Sequence, residues 1–245
     1  MIEALRSEWI KFSTLRSNWV MVVIAVAFPL VIVGLTAAFS ASPPSGSDLA
    51  ELIAGTGVVS ALLLGALAIL SITAEYGHNT IRPTFAALPD RWRALGAKPI
   101  AHIGLTAAAM AGIVVIGWLL GSSIAEDEQA LDGEATRIIL VGIVLLAIGL
   151  TLLGFGLGSL LRSTPLAICV LLLWPLLVEG LLAGLLTVIG WDGALRWLPY
   201  QAGFEMINRF PDDDSLGRVG GGLWFFAWVV AIMALGLWRS HRRDA

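Results

Sequence analysis

The chain has 245 residues, of which 58% are hydrophobic and only 13% charged, with a formal net charge of −3. Soluble domains carry roughly 25% charged residues, so this composition excludes an ordinary water-soluble fold and gives no sign of a nucleic-acid partner. The single cysteine, Cys169, excludes an intramolecular disulfide and a multi-cysteine metal site; inside an apolar run it reads as a small buried side chain.

Residues 1–18 place Ile2, Leu5, Trp9, Phe12 and Leu15 at steps of three and four, on one face of a helix. With Arg6, Lys11 and Arg16 nearby, such a segment can lie in the membrane interface, its apolar face in the acyl chains and its bases near the headgroups. The alternative is a plain extension of the span that follows. Six stretches then meet the requirement of about 20 largely apolar residues per crossing: 19–39, 53–73, 100–124, 137–161, 165–189 and 220–238. The fold class expected is therefore all-α, a polytopic membrane protein with six transmembrane helices. The first apolar run is longer than the roughly 7–15 residues of a signal peptide, so it counts as a permanent span.

Direction follows from the basic residues. With the N-terminus inside, eleven of the fifteen Lys and Arg fall on the inner side, and Arg137, Arg196, Arg209 and Arg218 fall outside. The positive-inside rule then sets both termini in the cytoplasm. Acidic residues gather in two outer loops, Glu126, Asp127, Glu128, Asp132 and Glu134 in one and Asp212, Asp213 and Asp214 in the other. Neither has the D-x-D-x-D-G pattern of a calcium loop, so they read as solvated charge.

The one long inner connection, 74–99, reads AEYGHNTIRPTFAALPDRWRALGAKP. Asn79 or Thr80 can cap a short helix that tolerates Pro83 only in its first turn. Pro89 ends that piece, and Asp90 can cap another leading into the third span. Arg82, Arg91 and Arg93 with Phe85, Leu88, Trp92 and Leu95 make either a protein-binding patch or a headgroup-binding loop.

Within the spans, Gly154, Gly156 and Gly158 follow no strand, so they read as close helix packing; Gly117/Gly121 and Gly180/Gly184 have the same character. No phosphate-binding loop and no H-E-x-x-H motif occurs, and His78, His102 and His241 are scattered. Ser159 and Ser163 have no base nearby in sequence, which disfavours an intramembrane enzyme. Glu179 is unusual. It sits about 21 Å along the fifth span from Pro165, where a charge is costly and is a functional candidate by default. Pro175, four residues earlier, lacks its helical N–H and predicts a kink. Glu179 and the deep Trp174 are thus either substrate-path residues or helix contacts.

The opening ALRSEWIKFSTLRSNW resembles the start of actinobacterial ABC type-2 transporter permeases. So does AEYGHNTIRPTFAALPDRWRALGAK, through Glu75-Tyr76, Thr80-Ile81-Arg82, Pro89-Asp90-Arg91 and Lys98. The stretch Leu198-Pro199-Tyr200-Gln201-Ala202-Gly203 resembles the segment before the last helix of that family. The resemblance implies a permease subunit of an ATP-driven exporter in the bacterial cytoplasmic membrane. It implies that residues 1–18 are an amphipathic elbow helix, with Leu5, Trp9, Phe12 and Arg16 at the interface. It also implies that 80–98 carries a coupling helix, so that Glu75, Thr80, Arg82, Phe85, Leu88, Asp90, Arg91, Trp92 and Arg93 meet the motor. Segment 191–208 corresponds to outer re-entrant helices, with Arg196 and Glu205 near the surface. No cofactor is expected on this chain, since ATP and Mg belong to a separate ABC ATPase subunit. A second permease copy or a related permease completes the membrane unit, amid membrane lipids. The competing expectation is a non-transporting membrane partner, a sensor or assembly subunit, that uses the same loop.

Overall fold

The computed structural model describes residues 2–40, 45–77, 91–124, 133–210 and 215–243. Among them every regular element is helical: α1 (Ile2–Thr14), α2 (Arg16–Phe39), α3 (Gly46–Gly77), α4 (Arg91–Ile124), α5 (Glu134–Leu161), α6 (Thr164–Leu173), a π-helical turn (Trp174–Glu179), α7 (Gly180–Val188), α8 (Pro199–Phe204) between short 3-10 turns (Asp192–Trp197 and Glu205–Ile207), and α9 (Gly217–Arg243). Six helices are long and apolar enough to cross a membrane, so the chain is a multi-pass helical membrane protein. Six crossings bring the two termini to one side.

The spans match the six apolar stretches, but several helices outrun them. The 32 residues of α3 extend roughly 48 Å against a hydrocarbon core of about 30 Å, so the helix projects from the apolar layer and carries Glu75 on its overhang. The 34 residues of α4 start at Arg91 and pass through Pro99 without interruption. The expected separate short helix after Asp90 is instead the opening of α4. Helices in membranes tolerate an internal proline when surrounding protein re-satisfies the freed carbonyl.

α3 and α5 form the centre. Buried residues make up 61% of the α3 span window and 67% of that of α5, against 17% for the first and fifth spans. Glycine permits this close approach. A Cβ on Gly65 would stand 2.9 Å from the Leu150 carbonyl oxygen, and one on Gly154 would collide with the carbonyl of Gly65. Bare backbones therefore touch where a side chain would hold them apart. Gly158 packs on Ile72, and Gly156 packs on the backbone of Met233 in α9. Buried hydroxyls join the helices, as between Thr106 and Thr151 (2.9 Å) and between Thr164 and Thr73 (2.7 Å).

The fifth span packs on one side only. Leu176, Leu181, Leu185 and Val188 are exposed, and among the described residues nothing lies within 4 Å of a Cβ built on Gly184. Cys169 faces outward there, exposed rather than buried, because no helix among the described residues covers that side.

Candidate functional site

Two groups of buried polar side chains stand at opposite ends of the bundle. The first lies on the side of the termini, where α1 meets the ends of α3 and α4. α1 stops at Thr14 because Leu15 is extended, at φ −91° and ψ 111°, so α1 is a helix separate from the first span. The carbonyls at its end are capped locally. Asn18 Nδ2 donates to the Phe12 carbonyl (3.1 Å), Trp19 Nε1 to that of Ser13 (3.2 Å) and Thr14 Oγ1 to that of Lys11 (3.0 Å). These bonds satisfy acceptors that a helix end leaves open. Phe12 is buried, with Trp9 stacked on it at 5.9 Å and Trp19 edge-on at 5.7 Å.

That packing sets Glu8 and Lys11, on one face of α1, against Glu75 of α3 and Lys98 of α4. Lys98 Nζ donates to Glu8 Oε2 (2.6 Å) and Glu75 Oε1 (2.9 Å); Lys11 Nζ donates to Glu8 Oε1 (2.8 Å) and Glu75 Oε1 (3.1 Å). Four charges alternate in one network. The Lys98 side chain is 6% exposed and that of Lys11 44%, so Lys98 is the interior partner. Burial pushes the Glu8 carboxyl up, but the Lys98 charge and the hydrogen bonds from Lys11 and Lys98 outweigh it, so Glu8 titrates below its ordinary 4.5. Burial likewise pulls Lys11 down, and its bond to Glu8 with the charges of Glu75 and Glu8 holds it above its ordinary 10.5. Beside this network, the Arg162 guanidinium lies 4.6 Å over the Tyr76 ring, tying the α5–α6 turn to the end of α3.

The second group lies toward the far side, in the fifth span. Pro175 has no N–H, so the Leu171 carbonyl four residues earlier loses its helical donor. The chain answers with the π-helical turn, and Tyr200 Oη–H donates to the Leu171 carbonyl at 3.2 Å. Tyr200 opens α8, whose first turn has its own unpaired donors. Pro199 brings none. The Tyr200 N–H bonds both Glu179 oxygens (3.0 and 3.1 Å), the Gln201 N–H bonds Glu179 Oε2 (3.0 Å), and the Ala202 N–H bonds the Leu198 carbonyl (2.9 Å). Every donor of that turn is thereby accounted for. The carboxylate caps the positive end of a helix, with a further hydrogen bond from the Trp174 side chain. Glu179 is 1% exposed and Trp174 42%, so Glu179 is a helix contact and Trp174 reaches the outer surface of the span.

The other residues singled out in the sequence divide as follows. Glu75 sits in the four-charge network. Leu5 is half-buried, Trp9 and Arg16 are exposed and Phe12 is buried on α1 and at the start of α2. Thr80, Arg82, Phe85, Leu88 and Asp90 lie outside the described residues; Arg91, Trp92 and Arg93 start α4, and their side chains are likewise outside them. Segment 191–208 contains three short helical turns, Asp192–Trp197, Pro199–Phe204 and Glu205–Ile207, with Tyr200, Gly203 and Met206 buried. Sequence reasoning missed Glu8, whose i, i+3 spacing from Lys11 was the available signal. It also missed the pairing of Glu179 with α8. Among the described residues no group of three or more His, Cys, Asp or Glu is placed to hold a metal ion. No protein-family model and no curated protein matches the chain.

Proposed function

We propose that this chain is the membrane-spanning permease subunit of an ATP-driven ABC exporter. It works with a separate ATPase subunit and with a second permease copy or a related permease, and it moves a drug, lipid, peptide or similar amphipathic substrate out of the cytoplasm. One observation carries the reading beyond the sequence resemblance. The two ends of the 74–99 connection, Glu75 and Lys98, are ion-paired to each other and to Glu8 and Lys11 of α1. A protein that pulls on that connection therefore pulls on α1, α3 and α4 together.

In this reading α1 is the elbow helix, and the motor docks on the connection between α3 and α4. ATP and Mg on the motor close it, and closure biases the membrane part between two states by binding one better than the other. The uncovered face of the fifth span, with Gly184 open, is the surface against which the second permease packs.

Co-expression with an ATPase subunit tests the proposal. The double substitution Arg91→Glu, Arg93→Glu should abolish co-purification or uncouple ATP hydrolysis from export in reconstituted vesicles. Retention of both would remove that patch from the mechanism. An intact complex with no ATP-driven substrate movement would favour a sensor or assembly subunit instead.

A further inference from the structure

The four-charge network forms one wall of a pocket between α1, α3 and α4, with a volume of 490 Å³. Trp9, Phe12, Leu70 and Leu105 give it an apolar lining, and His102 stands at its polar end one turn beyond Lys98. His102 is 7% exposed. Its contact is the edge of the Phe12 ring at 6.3 Å, and among the described residues it has no hydrogen-bond partner. An imidazole always carries at least one N–H to place, and the His102 ring nitrogens open to the pocket rather than being sealed in protein. What satisfies it comes from the pocket. Lys11 spends two of its three N–H groups on Glu8 and Glu75, which leaves one donor on a second pocket residue.

Charge narrows the class of ligand. Two carboxylates and two ammoniums cancel, so the wall attracts a zwitterion better than a net ion. The pocket lies at the membrane ends of the helices on the side of the termini. Trp9, Ile10 and Leu15 of the adjoining segment are 50%, 53% and 55% exposed, an apolar surface suited to acyl chains. We infer that this pocket holds one phospholipid with a primary-ammonium zwitterionic headgroup, a phosphatidylethanolamine, from the leaflet on that side. Its phosphodiester accepts from the His102 N–H and the third Lys11 N–H. Its ammonium donates to Glu8, whose oxygens each keep a lone pair, and an acyl chain lies along Trp9, Phe12 and Leu105. The lipid is a resident ligand, independent of any cargo.

The test uses the full chain, delipidated in mild detergent and titrated with phosphatidylethanolamine, phosphatidylcholine or phosphatidylglycerol, with binding read by native mass spectrometry and by the melting temperature. Phosphatidylethanolamine should bind roughly tenfold more tightly than the other two, the worth of one charge-assisted hydrogen bond. Soluble glycerophosphoethanolamine and inorganic phosphate should leave the melting temperature unmoved. His102→Phe and Lys11→Met should each weaken phosphatidylethanolamine binding roughly tenfold. Lys11→Met also removes one ammonium of the network and should lower the lipid-free melting temperature, so its binding is read by mass spectrometry at a temperature where it is folded. Equal binding of the three lipids, a preference for phosphatidylglycerol, or a rise with either soluble compound matching that of the lipid would overturn the inference. If His102→Phe fails to fold, Lys11→Met decides alone: unchanged phosphatidylethanolamine affinity overturns the site.

Discussion

The two polar groups bury carboxylates by opposite means. Near the termini, Glu8 and Glu75 face two ammonium groups and keep contact with the surface through Lys11. In the fifth span, Glu179 meets no cation among the described residues and instead receives the N–H groups of a helix start. A cation-paired carboxylate depends on flexible lysines that can change partners. A carboxylate held by main-chain donors depends on the path of the backbone, so it fixes a shape. The difference assigns an adaptable junction to the side of the 74–99 connection and a rigid one to the far side.

Removing Glu179 should have the largest effect. Glu179→Leu leaves the buried Tyr200 N–H and the part-buried Gln201 N–H without their acceptor, a loss of about 3 kcal/mol readable as a lowered melting temperature in detergent. Glu179→Gln keeps one carbonyl acceptor and should cost about 1 kcal/mol; if this variant also exports at the wild-type rate, Glu179 acts as a cap and nothing more. On the other side, Lys98→Met leaves Glu8 and Glu75 facing each other with only the exposed Lys11 between them. About 2 kcal/mol should be lost, less than for a fully enclosed pair, and much of it should return in Lys98→Met, Glu8→Gln. A Lys98→Met variant as stable as the parent would make the network ornamental.

The smallest effect is that of pH. The Glu8 carboxyl is depressed, so its contribution is complete above its ordinary 4.5 and fades as pH falls through the lowered value. The Lys11 ammonium is raised, so its contribution is complete below its ordinary 10.5 and fades as pH rises through the raised value. The contributions of Glu8 and Lys11 should therefore be flat between those limits. Melting the parent and Glu8→Gln across that range checks it, and a difference that grew from pH 5 to 8 would contradict the assignment.

Much of this was legible in the sequence, and the part that was not has a physical reason. The six spans follow from apolar length, which needs no knowledge of neighbours. Glu179 and Pro175 were visible as a costly charge and a missing donor. Their shared answer, Tyr200, was not, because residues 21 and 25 positions apart meet only once the chain after α7 folds back. Lys98 looked like the end of a connection because Pro99 suggested a break, yet α4 runs straight through. Glu8 was hidden among the polar residues of an amphipathic helix, and its importance depends on which helices that face meets. His102 is one of three histidines scattered in sequence; only packing shows that it lines a pocket, with no hydrogen-bond partner among the described residues.

Consider last the length of α3. It is one unbroken helix with Glu75 near one end and Asp48 near the other, roughly 40 Å apart, and Asp48 accepts from Arg209 Nη1 at 2.7 Å. Helix hydrogen bonds leave little axial give, and Gly65 against Gly154 puts no compressible side chain beside its midpoint. The helix is thus a strut. A load applied at Glu75 arrives at Arg209 and the segment ahead of α9 with little lost on the way, so the two faces of the membrane are mechanically one.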